Sequence, residues 1–515
     1  MHALSSLSRR TPAEPACSTQ RTPNGDHVAA ARPLFAKAFK YVGRRFRAKR
    51  QSPKQAQAAT SDFPYLPPEV WGVVIQQACS HDCDPLSASH QLSFLDDTST
   101  RFDSYMAALR EKMTLLYVCK TWHAYAIEHL YEFIWISSAA QAKKLAHTLV
   151  MQSLQSPTLT YGSFVRRIHI QTPVLERCAP ADLLSIVELT PNLVVYSDHH
   201  SLQRSLYDDG PDPRCSPEAI LKLVANPKIR RLSWTSYGDV PFQQRMTPLL
   251  TNLATQLEYL ELSSCSPNFR AMFSQPTTAG TKMDVRLPSL KALKVSLDNN
   301  TFAVLSSWDM PNLTNLSVLS SDFSYTGPGF ASFFQAHGEK LVQLELGHSS
   351  SLIEKHYLTA PHRTQPPTPV PLATWCPNLR EFICSADAEW HWQSPDWITA
   401  HILLPAHPNV QFIGIRDIDK RIRDDPDGFS REPFFTLFEL LASLLRKDAF
   451  PQLKYLRDLS AESHRLRSFR PQARVGQFWE RVVELSGKRG VWLEDCHGFN
   501  INIRTLLRAE QTHYD

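Results

Sequence analysis

The sequence predicts an α/β chain in which a short N-terminal helical module precedes a long stack of short parallel strands backed by outer helices. Three observations predict it. One apolar triplet recurs from residue 164 to near the C-terminus. Helix-like stretches alternate with the triplets. The composition is that of an ordinary globular chain, 43% hydrophobic and 20% charged, so a continuous core can be buried. Proline is frequent, 37 residues against 17 glycines. Prolines stop and restart elements, and few glycines disfavour a phosphate-cradling loop.

Residues 1–61 read as a disordered basic leader rich in Ser, Thr, Pro, Ala and Arg. They carry about +10 of charge, while the whole chain carries +5, so the body is mildly acidic. The basic balance therefore predicts no nucleic-acid-binding fold. Residues 31–50 could place Leu34, Phe35, Ala38, Phe39 and Val42 on one helical face. A membrane-surface helix, a nuclear import patch and a solvated tail all fit that pattern, and a mitochondrial presequence fits less well.

The stretch 62–80 predicts a helix start. Pro67 and Pro68 lack N–H groups where a first turn needs none, and Glu69 complements the N-terminal dipole. Val70, Val73, Val74 and Ala78 follow at helical spacing. Polar, irregular sequence runs from about His81 to Arg101. A second helical stretch spans 104–131, with a break expected near Lys120–Thr121, and FIWIS at 133–137 reads as extended. Residues 137–163 read as a linker with a helix.

The triplet is apolar-x-x-apolar-x-apolar, usually introduced by Pro-x. It appears at Val165/Ile168/Ile170, Ile229/Leu232/Trp234, Leu257/Leu260/Leu262, Leu290/Leu293/Val295 and Leu313/Leu316/Val318. It recurs at Leu341/Leu344/Leu346, Leu379/Phe382/Cys384 and Val410/Ile413/Ile415. Leu193/Tyr196 and Leu453/Leu456 begin it but put Asp198 and Asp458 in the last place. Helices are predicted at 181–190, 217–226, 246–255, 329–338 and 434–447. Such a unit cannot bury its apolar face alone, and stacking strands in parallel buries it continuously. Successive starts lie about 23 to 43 residues apart, wider than regular leucine-rich repeats, so the array over 164–515 reads as an irregular leucine-rich-repeat-like solenoid. A generic parallel α/β domain is the alternative. The stretch 491–499 is expected to seal its open end.

Residues 66–79, LPPEVWGVVIQQAC, and 115–136, LLYVCKTWHAYAIEHLYEFIWI, resemble the two halves of the F-box family. The matching positions are Leu66, Pro67, Glu69, Val118, Cys119, Lys120 and Trp122. The layout also looks like fungal F-box proteins with irregular repeats. Residues 62–136 then form an F-box-like domain with an insertion at about 81–112, longer than the compact family form. The resemblance implies a substrate adaptor of a Skp–cullin–F-box ubiquitin ligase. Its F-box would dock on a Skp-type adaptor, and its repeats would hold a protein substrate. Leu66, Pro67, Glu69, Val70, Val118, Cys119 and Trp122 are the implied docking residues, although Trp122 and Val118 could equally fill a small core. A scaffold with a non-docking module is the second reading.

An enzyme is the third reading and finds little support. No nucleophile elbow, zincin, Walker or dinucleotide motif occurs. Cys79, His81 and Cys83 are close in sequence but lack zinc pairing, and Asp198–His199–His200 reads as a polar loop. No catalytic residue, metal or cofactor is therefore expected. Trp390, Trp392 and Trp397 form the best candidate partner anchor, with padding of the repeat core as the alternative. The ten cysteines show no disulfide framework, and no apolar run suits a membrane span. A cytoplasmic or nuclear location is expected.

Overall fold

The computed structural model describes residues 67–79, 92–95, 102–155, 160–173, 176, 178–199, 228–236, 255–264, 285–296, 305–320, 328–348, 372–386, 406–424, 434–468, 473–504 and 506. Pro67–Asp515 forms one compact unit, separate from Met1–Leu66. Leu66, His81, Cys83, His200, Trp390, Trp392, Trp397, the basic leader and the helices expected at 217–226 and 246–255 lie outside the described residues.

Three helices come first: α1 (Pro68–Cys79), α2 (Phe102–Leu116) and α3 (Lys120–Glu132). The helix expected over 104–131 is thus two helices. The break falls at Tyr117–Cys119, slightly before the expected place. Cys119 is extended there, and its Sγ accepts the Trp122 amide at 3.5 Å as an N-cap. Ile75, Cys79, Leu116 and Ala126 make the small core of this module.

Among the described residues, twelve strands form a single sheet in sequence order. They are β1 (Phe133–Ile136), β2 (Arg167–Gln171), β3 (Val195–His199), β4 (Arg231–Ser236), β5 (Tyr259–Ser264) and β6 (Ala292–Ser296). They continue with β7 (Asn315–Ser320), β8 (Gln343–His348), β9 (Glu381–Ser385), β10 (Phe412–Arg416), β11 (Tyr455–Asp458) and β12 (Trp492–Glu494). Every neighbouring pair is parallel. The coarse class is α/β, and each strand pairs with its neighbours in sequence.

The registers explain the triplet. Leu232, Leu260, Leu293, Leu316, Leu344, Phe382, Ile413, Leu456 and Leu493 are successive partners along one row. That row is buried. Alternate strand residues point to opposite faces, so the second and third triplet residues share the core face. Helices α4 (Ala139–Gln155), α5 (Pro180–Glu188), α6 (Pro328–His337), α9 (Phe435–Leu444) and α11 (Ala473–Arg489) contribute to that core. The shorter helices are α7 (Leu372–Trp375), α8 (Ile418–Asp424) and α10 (Ala461–Ser468).

Three placements differ from the sequence reading. The sheet begins at Phe133 rather than near residue 164, because β1 pairs with β2 over four residues. Helix α4, read as a linker, buries Ala142, Ala146 and Leu149 in the same core as the strands. Asp198 and His199, read as a loop, lie in β3, with Asp198 buried. At the far end, 491–499 supplies β12, and the chain then turns back. The Ile501 amide donates to Leu493 at 2.8 Å, across the free edge of the sheet.

Candidate functional site

The helical module presents an apolar surface that its own fold leaves uncovered. Helix α1 buries Ile75 and Cys79 on one side. Val70, Val73 and Val74, at helical spacing on another, are exposed, Val73 by 57%. The indole rings of Trp71 and Trp122 lie 5.2 Å apart and join the N-terminal ends of α1 and α3. Gly72 faces Tyr125 just beyond, so the helices run closely side by side. Val118 sits directly before that end of α3 and is 55% exposed, beside exposed Tyr117. Helix α1 thus carries apolar side chains both towards the module's core and at three exposed positions.

The seven docking candidates therefore separate by role. Pro67, Glu69, Val70 and Val118 are exposed at one end of the helix pair. Cys119 is exposed but serves as the N-cap of α3. Trp122 is half-buried against Trp71 and the module's small core. Leu66 lies outside the described residues. Lys112 Nζ donates to the His129 carbonyl at 3.0 Å, tying α2 to the end of α3. His129 Nδ1 lies 3.5 Å from Glu132, and this hydrogen bond pulls the Glu132 carboxyl below its usual range.

The inferred insertion does two structural jobs. Its last third belongs to α2, whose Tyr105 hydroxyl accepts the Trp135 amide at 3.3 Å and so covers the free edge of β1. Its middle, Leu92–Leu95, lies on the face of the sheet opposite the helices. There it forms a cluster with Tyr259, Ala292, Ile383, Phe412 and Leu459 that is distinct from the main core.

That open face is otherwise a ladder of polar and aromatic side chains. Lys294 pairs with Glu261 at 2.8 Å, and the Tyr259 hydroxyl donates to Glu261 at 3.2 Å. Ser317 donates to Glu345 at 2.7 Å, and Arg416 pairs with the same carboxylate. Arg457 binds Glu494 at 2.7 Å while its guanidinium lies 4.8 Å above the Phe412 ring. Burial and the nearby Glu261 carboxylate hold the Tyr259 phenol well above its usual value.

Sequence reasoning missed the Leu92–Leu95 site. The available signal was four residues, Leu-Ser-Phe-Leu, carrying three large apolar side chains within an otherwise polar stretch. Such a tetrad needs burial, but nothing local says where.

Burial pushes the thiols of Cys178, Cys376 and Cys384 up to about 12, so they stay protonated. Among the described residues, no cluster of three or more His, Cys, Asp or Glu could hold a metal ion. No helix among them is long and apolar enough to cross a membrane.

No family model and no curated protein matches the chain. Among solved structures, a Bacteroides fragilis protein aligns at 12% identity over 76% of this chain and 82% of its own. Its TM-score is 0.28, too low to carry any argument about fold or function.

Proposed function

We propose that this chain is a substrate-recognition adaptor of a Skp–cullin–F-box ubiquitin ligase, with α1–α3 as its F-box. The observation that carries the reading is the uncovered apolar surface of Val70, Val73, Val74 and Val118 at the Pro67–Glu69 end of the module. Of the positions that resemble the family motif, Val118 belongs to it, and Pro67 and Glu69 lie exposed beside it. In this reading a Skp-type adaptor covers that surface. The sheet and its loops hold a protein substrate near a ubiquitin-charged enzyme bound elsewhere. The rate gain then comes from proximity and needs no catalytic group in this chain.

One observation favours the scaffold reading. Trp122 and Cys119, the most distinctive of the matching residues, both have roles inside the module. They would be retained in a protein that docks nothing.

Co-purification with the host's Skp adaptor separates the readings. The wild type should capture it stoichiometrically. Val73→Glu, which puts a charge on an exposed position, should abolish capture without changing the melting profile. Leu66→Ala/Pro67→Ala should weaken it. A well-folded wild type that captures no adaptor would overturn the adaptor reading in favour of the scaffold.

A further inference from the structure

The segment Leu92–Leu95 is held on the open face in the manner of a bound peptide. The Asn315 side-chain amide donates to the Leu92 carbonyl at 2.7 Å. Gln343 makes two contacts: its Nε2 donates to Ser93 Oγ at 2.7 Å, and its Oε1 accepts the Phe94 amide at 2.6 Å. Arg416 donates to the Phe94 carbonyl at 2.6 Å. These donors and acceptors come from β7, β8 and β10, so the segment crosses the strands.

The apolar side chains enter prepared places. Phe94 is 7% exposed and its ring lies 6.3 Å from that of Tyr259. Leu95 is 8% exposed and fills the space over Gly414. A Cβ built at Gly414 would lie 2.9 Å from Leu95 Cδ2 and 2.8 Å from Leu459 Cδ1. Glycine inside a strand is unfavourable by itself and commonly marks a close approach. Here the approaching groups are Leu95 and Leu459.

The receiving side chains are themselves fixed. Gln343 is 1% exposed, and its amide also donates to Glu381 at 2.6 Å. Arg416 is paired with Glu345, which Ser317 also holds. Asn315, Gln343 and Arg416 satisfy main-chain groups, which any sequence offers. The Ser93 hydroxyl contact and the two apolar places discriminate between sequences. This division between backbone capture and side-chain selection is how peptide grooves work.

We propose that the open face from β5 to β10 is a peptide-binding groove and that Leu92–Leu95 is its internal ligand. The external ligand is a protein segment with a small hydroxyl residue followed by Phe-Leu or a similar apolar pair, bent there as the internal one is, where the Leu95 amide donates to Ser93 Oγ at 3.1 Å. The internal copy competes with it because it is tethered in the same chain. A short tether sets an effective concentration on the order of millimolar, so only a better-fitting or multivalent partner displaces it. The inference stands whether or not α1–α3 dock on an adaptor.

The test uses the full chain and a fluorescent synthetic peptide of residues 88–99. Phe94→Ser/Leu95→Ser should empty the groove and bind the peptide at least ~10-fold more tightly than wild type. The same peptide with Ser at both apolar positions should not bind. Adding Gly414→Ala to the double variant should weaken binding by narrowing the Leu95 place beside Leu459, read on a triple variant that keeps the cooperative melt of the double. If the double variant lacks a cooperative melt, Leu95→Ala, which keeps every main-chain contact, replaces it. Equal binding to wild type and the emptied variant would overturn the internal-ligand assignment. No binding to a folded, emptied variant would overturn the groove itself.

Discussion

The third place of the strand triplet is where single residues depart from the apolar rule, and each departure has its own partners. Asp198 accepts the Tyr196 hydroxyl at 3.1 Å. Asp458 accepts Ser463 Oγ at 2.5 Å, the Ser460 amide at 3.0 Å and Arg467 at 3.2 Å. Burial raises the Asp458 carboxyl despite these donors. Removing one member of a buried pair strands the other charge. Asp458→Ala should therefore cost about 3–5 kcal/mol in chemical unfolding. The double variant Asp458→Leu/Arg467→Leu should recover most of that loss, because Leu restores the apolar place; an equal loss would show that the surrounding polar groups hold the site. His337 is the complementary case. It is buried, and Lys340 Nζ lies 2.9 Å from its Nδ1, which therefore acts as the acceptor. Burial, reinforced by Lys340, lowers its pKa to about 4. The folded state keeps this ring neutral while the unfolded chain protonates it below about 6.5. Its contribution is thus complete above that pH and is lost as pH falls from about 6.5 through about 4, on the order of 3 kcal/mol. Stability measured against pH should show this slope in the wild type, and the difference should vanish in His337→Gln.

At the scale of elements, the strands were legible and several of their supports were not. The triplet encodes the core face directly, so the positions of ten strands follow from it. The polar residue after proline in the Pro-x lead-in carries a further rule. Asn192, Asn312, Asn378 and Asn409 each donate a side-chain amide to a main-chain carbonyl of the preceding unit, at 2.6–2.8 Å. Each bond staples one turn to the next. Asn378→Ala should cost about 1 kcal/mol, the net worth of one such bond, and thermal melting would detect it. Gly162 shows a harder constraint, since a Cβ there would lie 1.9 Å from the Leu189 carbonyl oxygen. Gly162→Ala should destabilise by about 3 kcal/mol, at the upper end for overpacking. Helix α11 escaped notice although Val475, Phe478, Trp479 and Val482 are spaced for one buried face. Gly490, in the left-handed region at φ 73°, ends it, with the Val491 amide donating back to Ser486 at 2.9 Å. The Leu92–Leu95 segment escaped for a different reason. Its partners Gln343 and Arg416 lie 250 and 322 residues away in sequence, beyond the reach of any local pattern.

Across the whole unit, strands pair with their neighbours in sequence, so stability should spread mainly from unit to unit. Leu316 lies fully buried in β7, between Leu293 and Leu344. Leu316→Ala should cost about 2–5 kcal/mol. In a simple stack, the loss of hydrogen-exchange protection would be greatest at β6 and β8 and would fade towards β2 and β12. The open-face segment changes that expectation. It links β7, β8 and β10 through Asn315, Gln343 and Arg416, and it is joined through the chain to α2, which covers β1. Disturbing β7 should therefore also deprotect the Phe94 amide, which Gln343 holds. In Leu316→Ala, faster exchange at Phe94 together with unchanged exchange at Ile134 and Ile136 would show that the segment reports the state of the sheet without carrying the disturbance to its first strand. Matching losses at Phe94 and β1 would show that the segment couples the middle of the array to its beginning, so that a ligand displacing it would be felt in the helical module.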